Sequence, residues 1–233
     1  MQPLGGHAQR HTLAAFRLGA QYGYRAFECD VKLSVDDVPF LMHDADLQRT
    51  TGADGLAGER RWAELSQLDA GSWHSRLHAG EPLPPLSAVA AFVQRNGFAL
   101  DLEIKPTPGT EAHTGAVLAD EVARLWHGQE LLPLLSSFQP EALRAAREHQ
   151  PELPRALLLD TLHPQAFDLA LDLRCVALIT DHELMDAALL ARIHAAGMRA
   201  LVYTVNESER AQQLLAWGID GIVTDAVDRF SPV

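Results

Sequence analysis

The chain has 233 residues, 47% hydrophobic and 21% charged, proportions that indicate a globular protein able to bury a sizeable core. Its formal charge of -12, from 31 acidic residues against 19 Lys and Arg, argues against nucleic acid or a membrane surface as a partner. It shows no membrane span, no secretory signal and only two cysteines, so we expect a cytoplasmic protein without a disulfide framework.

The first predicted elements are a helix and a hairpin. Helical spacing of apolar residues predicts a helix over 12–22, and the apolar run that follows predicts a strand over 24–33. Asp36-Asp37 is typical of a hairpin turn, and a returning strand is predicted over 38–42. Residues 44–85 hold turn signals and short helical pieces, so we expect an excursion from the regular pattern there.

After the excursion, helices and strands alternate. Helices are predicted over 86–96, 112–127, 140–149, 164–173, 184–196 and 207–217, and strands over 98–105, 131–138, 155–160, 175–180, 199–205 and 221–224. Such alternation predicts right-handed βαβ units and a parallel sheet.

The number of strands favours one fold class. With the strand over 24–33 the main strands number seven, and a helix precedes the first of them, as if an earlier strand were missing or irregular. We therefore predict an α/β fold, a (β/α)8 TIM barrel in a single domain over 1–233, with a small insertion at roughly 44–85 after the second strand. A doubly wound sheet is the alternative, but no Gly-rich phosphate loop supports it.

Three carboxylates fall where a barrel places its active site, at the C-terminal ends of the strands. Glu28 and Asp30 are two residues apart, so they share one face of their strand, and Glu103 lies on the next parallel strand. Together they predict a site of hard oxygen ligands, suited to Mg²⁺, Ca²⁺ or Mn²⁺. An exposed edge with two solvated acids is the alternative for Glu28 and Asp30.

Two further side chains complete the predicted site. Lys105 follows Glu103 on the same face and could neutralise an anionic group such as phosphate. His43 ends the hairpin strand and is the natural proton carrier near neutral pH. Alone, a strand-end lysine is usually solvated and a histidine is more often a structural hydrogen-bonding residue. The two cysteines are predicted to lie far apart, so no disulfide is expected.

Ordered motifs from about residue 12 to the C-terminus resemble one known family. They are Thr12-Leu13-Ala14-Ala15-Phe16, Phe27-Glu28-Cys29-Asp30-Val31-Lys32-Leu33-Ser34, Leu41-Met42-His43-Asp44, Leu47-Gln48-Arg49-Thr50-Thr51, Asp69-Ala70-Gly71-Ser72-Trp73, Pro82-Leu83-Pro84, Glu103-Ile104-Lys105-Pro106, Ser136-Ser137-Phe138, Tyr203-Thr204-Val205-Asn206 and Thr224-Asp225. The chain resembles the glycerophosphodiester phosphodiesterases, in particular their short bacterial cytosolic form.

The resemblance implies hydrolysis of a small-molecule glycerophosphodiester to sn-glycerol 3-phosphate and an alcohol, with a divalent cation, Mg²⁺ or Ca²⁺, as cofactor. It implies metal ligands at Glu28, Asp30 and Glu103, a catalytic histidine at His43 and a substrate-contacting lysine at Lys105. In this family a glycerol hydroxyl is thought to attack phosphorus first.

The N-terminus departs from the family pattern. The family's first strand ends in His-Arg-Gly, and an ungapped alignment places the His-Arg pair on Met1-Gln2. Gln9-Arg10-His11 stands where Pro-Glu-Asn is expected, and His7 could be a displaced histidine. Three explanations stay open: a trimmed N-terminus, a rearranged but working site, or a non-catalytic barrel that still binds metal and glycerophosphate.

Overall fold

The computed structural model describes residues 11–230. The strands are β1 (Ala26–Leu33), β2 (Pro39–Leu41), β3 (Ala99–Ile104), β4 (Leu134–Ser137), β5 (Arg155–Leu159), β6 (Ala177–Asp181), β7 (Arg199–Tyr203) and β8 (Gly221–Ile222). The helices are α1 (Leu13–Gln21), α2 (Gln48–Thr51), α3 (Trp62–Leu65), α4 (Leu86–Asn96), α5 (Glu111–Leu125), α6 (Pro140–His149), α7 (Ala166–Asp172), α8 (Ala187–Ala195) and α9 (Ser208–Trp217).

The eight strands form one sheet in the order β2-β1-β3-β4-β5-β6-β7-β8. β2 pairs antiparallel with β1 as a hairpin, and every other pairing is parallel. Residues of β1 and β8 line the same cavity, so the sheet wraps round on itself. The predicted α/β alternation is therefore confirmed. The expected irregular first strand falls on Met1–Arg10, outside the described residues.

The local sequence explains where α1 begins and ends. The Thr12 hydroxyl accepts a hydrogen bond from the Ala15 amide at 3.2 Å, which satisfies one of the free N–H groups of the first turn. Just beyond the helix, Gly23 has a φ of 93°, a conformation that glycine adopts without strain. The chain then enters β1, which carries Glu28 and Asp30.

The main core lies between the parallel sheet and the helices. It contains Cys29, Val31, Leu102 and Ile104, whose neighbours along the strands point the other way, into the barrel. Cys29 is completely buried, and Cys29 and Cys175 are both free cysteines. The alternation that buries these apolar residues is what directs the carboxylates of β1 and β3 to the interior.

The excursion after the hairpin has a small core of its own. Phe40, Met42, Leu47, Leu65 and Leu83 pack together there, apart from the main core. The segment holds two short α-helices, α2 and α3, and two 3₁₀ turns. Its own hydrophobic contacts hold it beside the mouth of the barrel, at the end of β2.

Two strands, β4 and β8, have only half of their predicted length. β4 begins at Leu134, because Leu131 and Leu132 are exposed rather than built into the sheet. β8 has only two residues, and the chain after it turns to contact Asn206. The Asn206 side-chain oxygen accepts a hydrogen bond from the Asp225 amide at 3.1 Å. This bond ties the segment after β8 to the segment after β7.

Candidate active site

A cavity of about 740 Å³ opens at the C-terminal ends of the parallel strands and runs into the barrel. All five residues predicted from the sequence, the three carboxylates, His43 and Lys105, line it. Part of its apolar lining comes from β5, β6 and β7, which contribute Leu158, Ile179 and Leu201. A cavity with an apolar wall and a few converging polar groups is the usual form of a small-molecule site.

The strand register brings the carboxylates together. Asp30 lies opposite Glu103, and Glu28 lies opposite Asp101, in the parallel pairing of β1 with β3. Glu28, Asp30 and Glu103 each offer a ligand atom within 4.8 Å of the others. Asp30 is only 3% exposed, which excludes the alternative of a solvated edge.

Burial and mutual repulsion raise the pKa values of two of these acids. Burial, and then the charges of Asp30, Asp101 and Glu103, raise the pKa of Glu28 well above its usual range. Burial and the charge of Asp30 raise the pKa of Glu103 to about 8, although Lys105 opposes the shift. Negative charge is therefore incompletely balanced by the protein's own groups.

Asp30 is the carboxylate that the protein does balance. Lys105 Nζ lies 2.8 Å from Asp30 Oδ1 and 3.4 Å from Glu103 Oε1. Burial alone would raise the pKa of Asp30, but contacts with His11 and Lys105 outweigh it and hold that pKa well below the usual range. Lys105, which sequence reasoning assigned to substrate phosphate, therefore also neutralises the acids.

His11 is a site residue that sequence reasoning did not assign. Its Nδ1 accepts a hydrogen bond from the Asp30 amide at 3.2 Å, and its Nε2 lies 2.8 Å from Asp30 Oδ2. Its φ of 62° is uncommon for a residue with a side chain. The sequence signal that could have identified His11 is its position in Gln9-Arg10-His11, where the family pattern has Pro-Glu-Asn. His7 lies outside the described residues.

Two more charged groups lie on the same strand faces. Lys32, two residues beyond Asp30, is 3% exposed, and burial followed by repulsion from Lys105 lowers its pKa to about 8. Asp101, two residues before Glu103, accepts a hydrogen bond from Ser136 Oγ at 2.6 Å. Burial raises the pKa of Asp101 to about 7. The period-2 pattern could have identified both residues.

His43 also lines the cavity, and 43% of its side chain is exposed. Its ring stacks near that of His11, with centroids 6.2 Å apart, and its Nδ1 lies 2.9 Å from Asp44 Oδ1. The structure thus brings a histidine to the same cavity as the acids, with its position set by the hairpin.

The residues present fit a bound divalent cation. Three carboxylates converge within 4.8 Å, and burial followed by repulsion from neighbouring acids raises the pKa values of two of them, Glu28 and Glu103. A divalent cation would relieve that repulsion, and carboxylate oxygens are the ligands that hard cations prefer. The acidic group is thus one that could bind a metal ion.

A family model and individual relatives match the sequence of this chain. The model of the glycerophosphoryl diester phosphodiesterase family matches residues 4–229. The chain belongs to this family. A glycerophosphodiester phosphodiesterase of Caldanaerobacter subterraneus is 26% identical, over 92% of this chain and 88% of its own.

Solved structures of glycerophosphodiester phosphodiesterase type share the fold. An Oleispira antarctica phosphodiesterase, in complex with the product sn-glycerol-3-phosphate, matches with a TM-score of 0.91 and 34% identity, over 96% of this chain and 90% of that one. A glycerophosphodiester phosphodiesterase from Agrobacterium tumefaciens matches with a TM-score of 0.81 and 25% identity, over 98% and 97%. Within residues 11–230, no helix is long and apolar enough to cross a membrane.

Proposed function

We propose that this protein hydrolyses glycerophosphodiesters, releasing sn-glycerol 3-phosphate and an alcohol. The observation that carries the proposal is the meeting of three carboxylates, Lys105 and His43 in one cavity of a chain that belongs to this family. The product bound by the Oleispira antarctica relative supports the same substrate class.

The proposed cofactor is Mg²⁺ or Ca²⁺, held by Glu28, Asp30 and Glu103. Such an ion supplies positive charge to the phosphate oxygens when it is bound. The oxygen-only ligand set favours these hard cations over zinc.

The chain's own residues have two proposed roles. Lys105 supplies a positive charge beside the phosphate, where it stabilises negative charge that develops during the reaction. His43 takes the proton of the attacking glycerol hydroxyl as its oxygen bonds to phosphorus and the bond from phosphorus to the alcohol oxygen breaks, and the same proton then passes to the departing alcohol. A water molecule then adds to phosphorus and opens the cyclic phosphate, which gives sn-glycerol 3-phosphate. Acid–base assistance of this kind typically contributes about 10²–10⁴-fold in rate.

The test is incubation with glycerophosphocholine and Ca²⁺ or Mg²⁺, with glycerol 3-phosphate as the measured product. We expect turnover in the wild type and its loss in Glu28→Gln, Glu103→Gln and His43→Ala. Glu141→Gln, an exposed position at the start of α6, is the matched control and should remain active. Unchanged activity in the three site variants would contradict the assignment.

A binding protein without catalysis is the second candidate, because the family's His-Arg pair aligns with Met1-Gln2. It predicts calorimetric binding of glycerol 3-phosphate without turnover of any glycerophosphodiester.

We also infer that residues 1–233 form a single domain and that the protein is cytoplasmic.

A further inference from the structure

The ring of His43 is held on one side only. Its Nδ1 lies 2.9 Å from Asp44 Oδ1, whereas its Nε2 makes no hydrogen bond within residues 11–230. His43 is also among the residues that line the cavity. The ring nitrogen that is left without a hydrogen bond is therefore the one available to a molecule bound there.

Asp44 is itself fixed by the excursion. Arg49, at the start of α2, donates from Nε to Asp44 Oδ2 at 2.5 Å. The Arg49 guanidinium lies over the ring of Trp73, 4.8 Å from its centroid. Although partial burial opposes it, hydrogen bonding from Arg49 and His43 holds the pKa of Asp44 below its usual range. Asp44 is therefore an ionised acceptor.

The ionised state of Asp44 determines which nitrogen of His43 carries the proton. An ionised carboxylate can only accept, so Nδ1 must be a protonated nitrogen, and in the neutral imidazole the lone pair is then on Nε2. Only that tautomer can take a proton from a hydroxyl in the cavity.

We propose that Asp44 is a positioning residue that sets the tautomer and orientation of His43, and that Arg49, packed on Trp73, holds Asp44 in place. The inference rests on the proposed function, in which His43 moves protons. In this proposal the excursion contributes to catalysis, because Arg49 and Trp73 within it fix Asp44, which in turn orients His43 at the end of the hairpin.

Other charged and titratable groups near His43 do not replace Asp44. His11, which precedes α1, stacks with the His43 ring but directs its nitrogens to Asp30. Arg49 contacts the far oxygen of Asp44 rather than the imidazole. Among the residues of the 11–230 range that contact His43, Asp44 is the acceptor that can select its tautomer.

The central experiment combines kinetics with spectroscopy on the full-length chain. Asp44→Asn keeps the size of the side chain but removes the charge that requires a proton on Nδ1. We expect kcat for glycerophosphocholine to fall about 10²–10³-fold with KM changed less than about 3-fold, within the range of acid–base assistance. Imidazole ¹⁵N shifts should report the Nδ1–H tautomer of His43 in the wild type and an increased Nε2–H population in Asp44→Asn.

A matched control is offered by a second histidine–aspartate pair. His149 Nδ1 lies 2.9 Å from Asp120 Oδ2, the same contact through the same nitrogen, on exposed helix surfaces outside the cavity lining. Asp120→Asn should leave kcat and the His43 shifts unchanged. Arg49→Gln should give a smaller loss of kcat than Asp44→Asn, because Asp44 remains but is less firmly held.

Three results would overturn the proposal: a loss confined to KM, an unchanged His43 tautomer in Asp44→Asn, or a full further loss when Asp44→Asn is added to His43→Ala. A loss in KM alone would mean that Asp44 and Arg49 bind substrate. If the wild type shows no turnover at all, the proposed function fails, but the ¹⁵N measurement still tests how Asp44 controls His43.

Discussion

At the scale of single residues, the site concentrates acids that the fold does not neutralise. Asp101 is one example, two residues before Glu103 on β3 and opposite Glu28 on β1. Asp101 accepts a hydrogen bond from Ser136, which cannot by itself compensate for a full negative charge. Burial therefore raises its pKa to about 7, and the folded protein binds a proton there that the unfolded chain releases.

The raised pKa of Asp101 predicts a pH-dependent loss of stability. The unfolded carboxyl titrates near about 3.9, so the folded state is penalised as pH rises from about 4 to about 7 and the penalty is constant above. Without metal, Asp101→Asn should be more stable than the wild type at pH 8, and the two should converge below about pH 4. Chemical denaturation across this range measures the difference.

The control for that experiment is Asp168→Asn on the exposed side of α7, which removes one negative charge from the surface. It should not reproduce the growing advantage between pH 4 and 7. Equal stability differences at pH 4 and pH 8 for Asp101→Asn would contradict an acid that is protonated by burial.

At the scale of elements, close packing of α5 against α6 depends on one glycine. Gly115 is buried in the middle of α5, and a Cβ added there would lie 2.1 Å from the Ala142 carbonyl oxygen of α6. Real Cβ atoms do not approach backbone this closely, so the two helices would have to separate. The glycine is required by the contact, not by its backbone conformation.

Gly115→Ala should therefore destabilise the protein even though alanine is the better helix former. Intrinsic propensity favours the substitution by about 1 kcal/mol, whereas overpacking a core contact typically costs about 1–3 kcal/mol. We expect a net loss in the free energy of unfolding, measured by urea denaturation. Ala112→Val, exposed on the same helix, should change that free energy by less than about 1 kcal/mol. A more stable Gly115→Ala protein would contradict the packing argument.

At the scale of the whole molecule, the uncompensated negative charge in the cavity is expected to link the stability of the fold to cation binding. Glu28 and Glu103 have raised pKa values because like charges and burial disfavour their ionised forms. A bound cation would remove that penalty and stabilise the folded state by mass action, about 2.7 kcal/mol at 100 times Kd. The same carboxylates thus reduce the stability of the metal-free protein and form the proposed cation site.

Glu103→Gln separates these two effects. At pH 8.5 without added cation it should melt at a higher temperature than the wild type, because a buried charge is removed. Ca²⁺ or Mg²⁺ should raise the melting temperature of the wild type by several degrees and that of Glu103→Gln by much less. Scanning calorimetry measures both. Glu141→Gln should follow the wild type, and an equal cation-induced shift in Glu103→Gln would contradict the ligand assignment.

The sequence by itself determined the elements and the directions of their side chains. The two-residue period of a strand was enough to place Glu28 and Asp30 on the same face of β1. It likewise placed Glu103 and Lys105 on the same face of the β3 segment, because strand periodicity is a local property. The succession of strands and helices predicted the parallel sheet for the same reason. The ordered motifs supplied the family resemblance.

Only the tertiary structure decided how these groups act on one another. The register of β1 against β3, set by packing over the whole sheet, places Asp30 opposite Glu103. Long-range contacts bring His11 and Lys105 to Asp30, and the separate core of the excursion brings Arg49 to Asp44. Burial and distance between charges determine pKa values, and neither can be read from residues that are far apart in the chain.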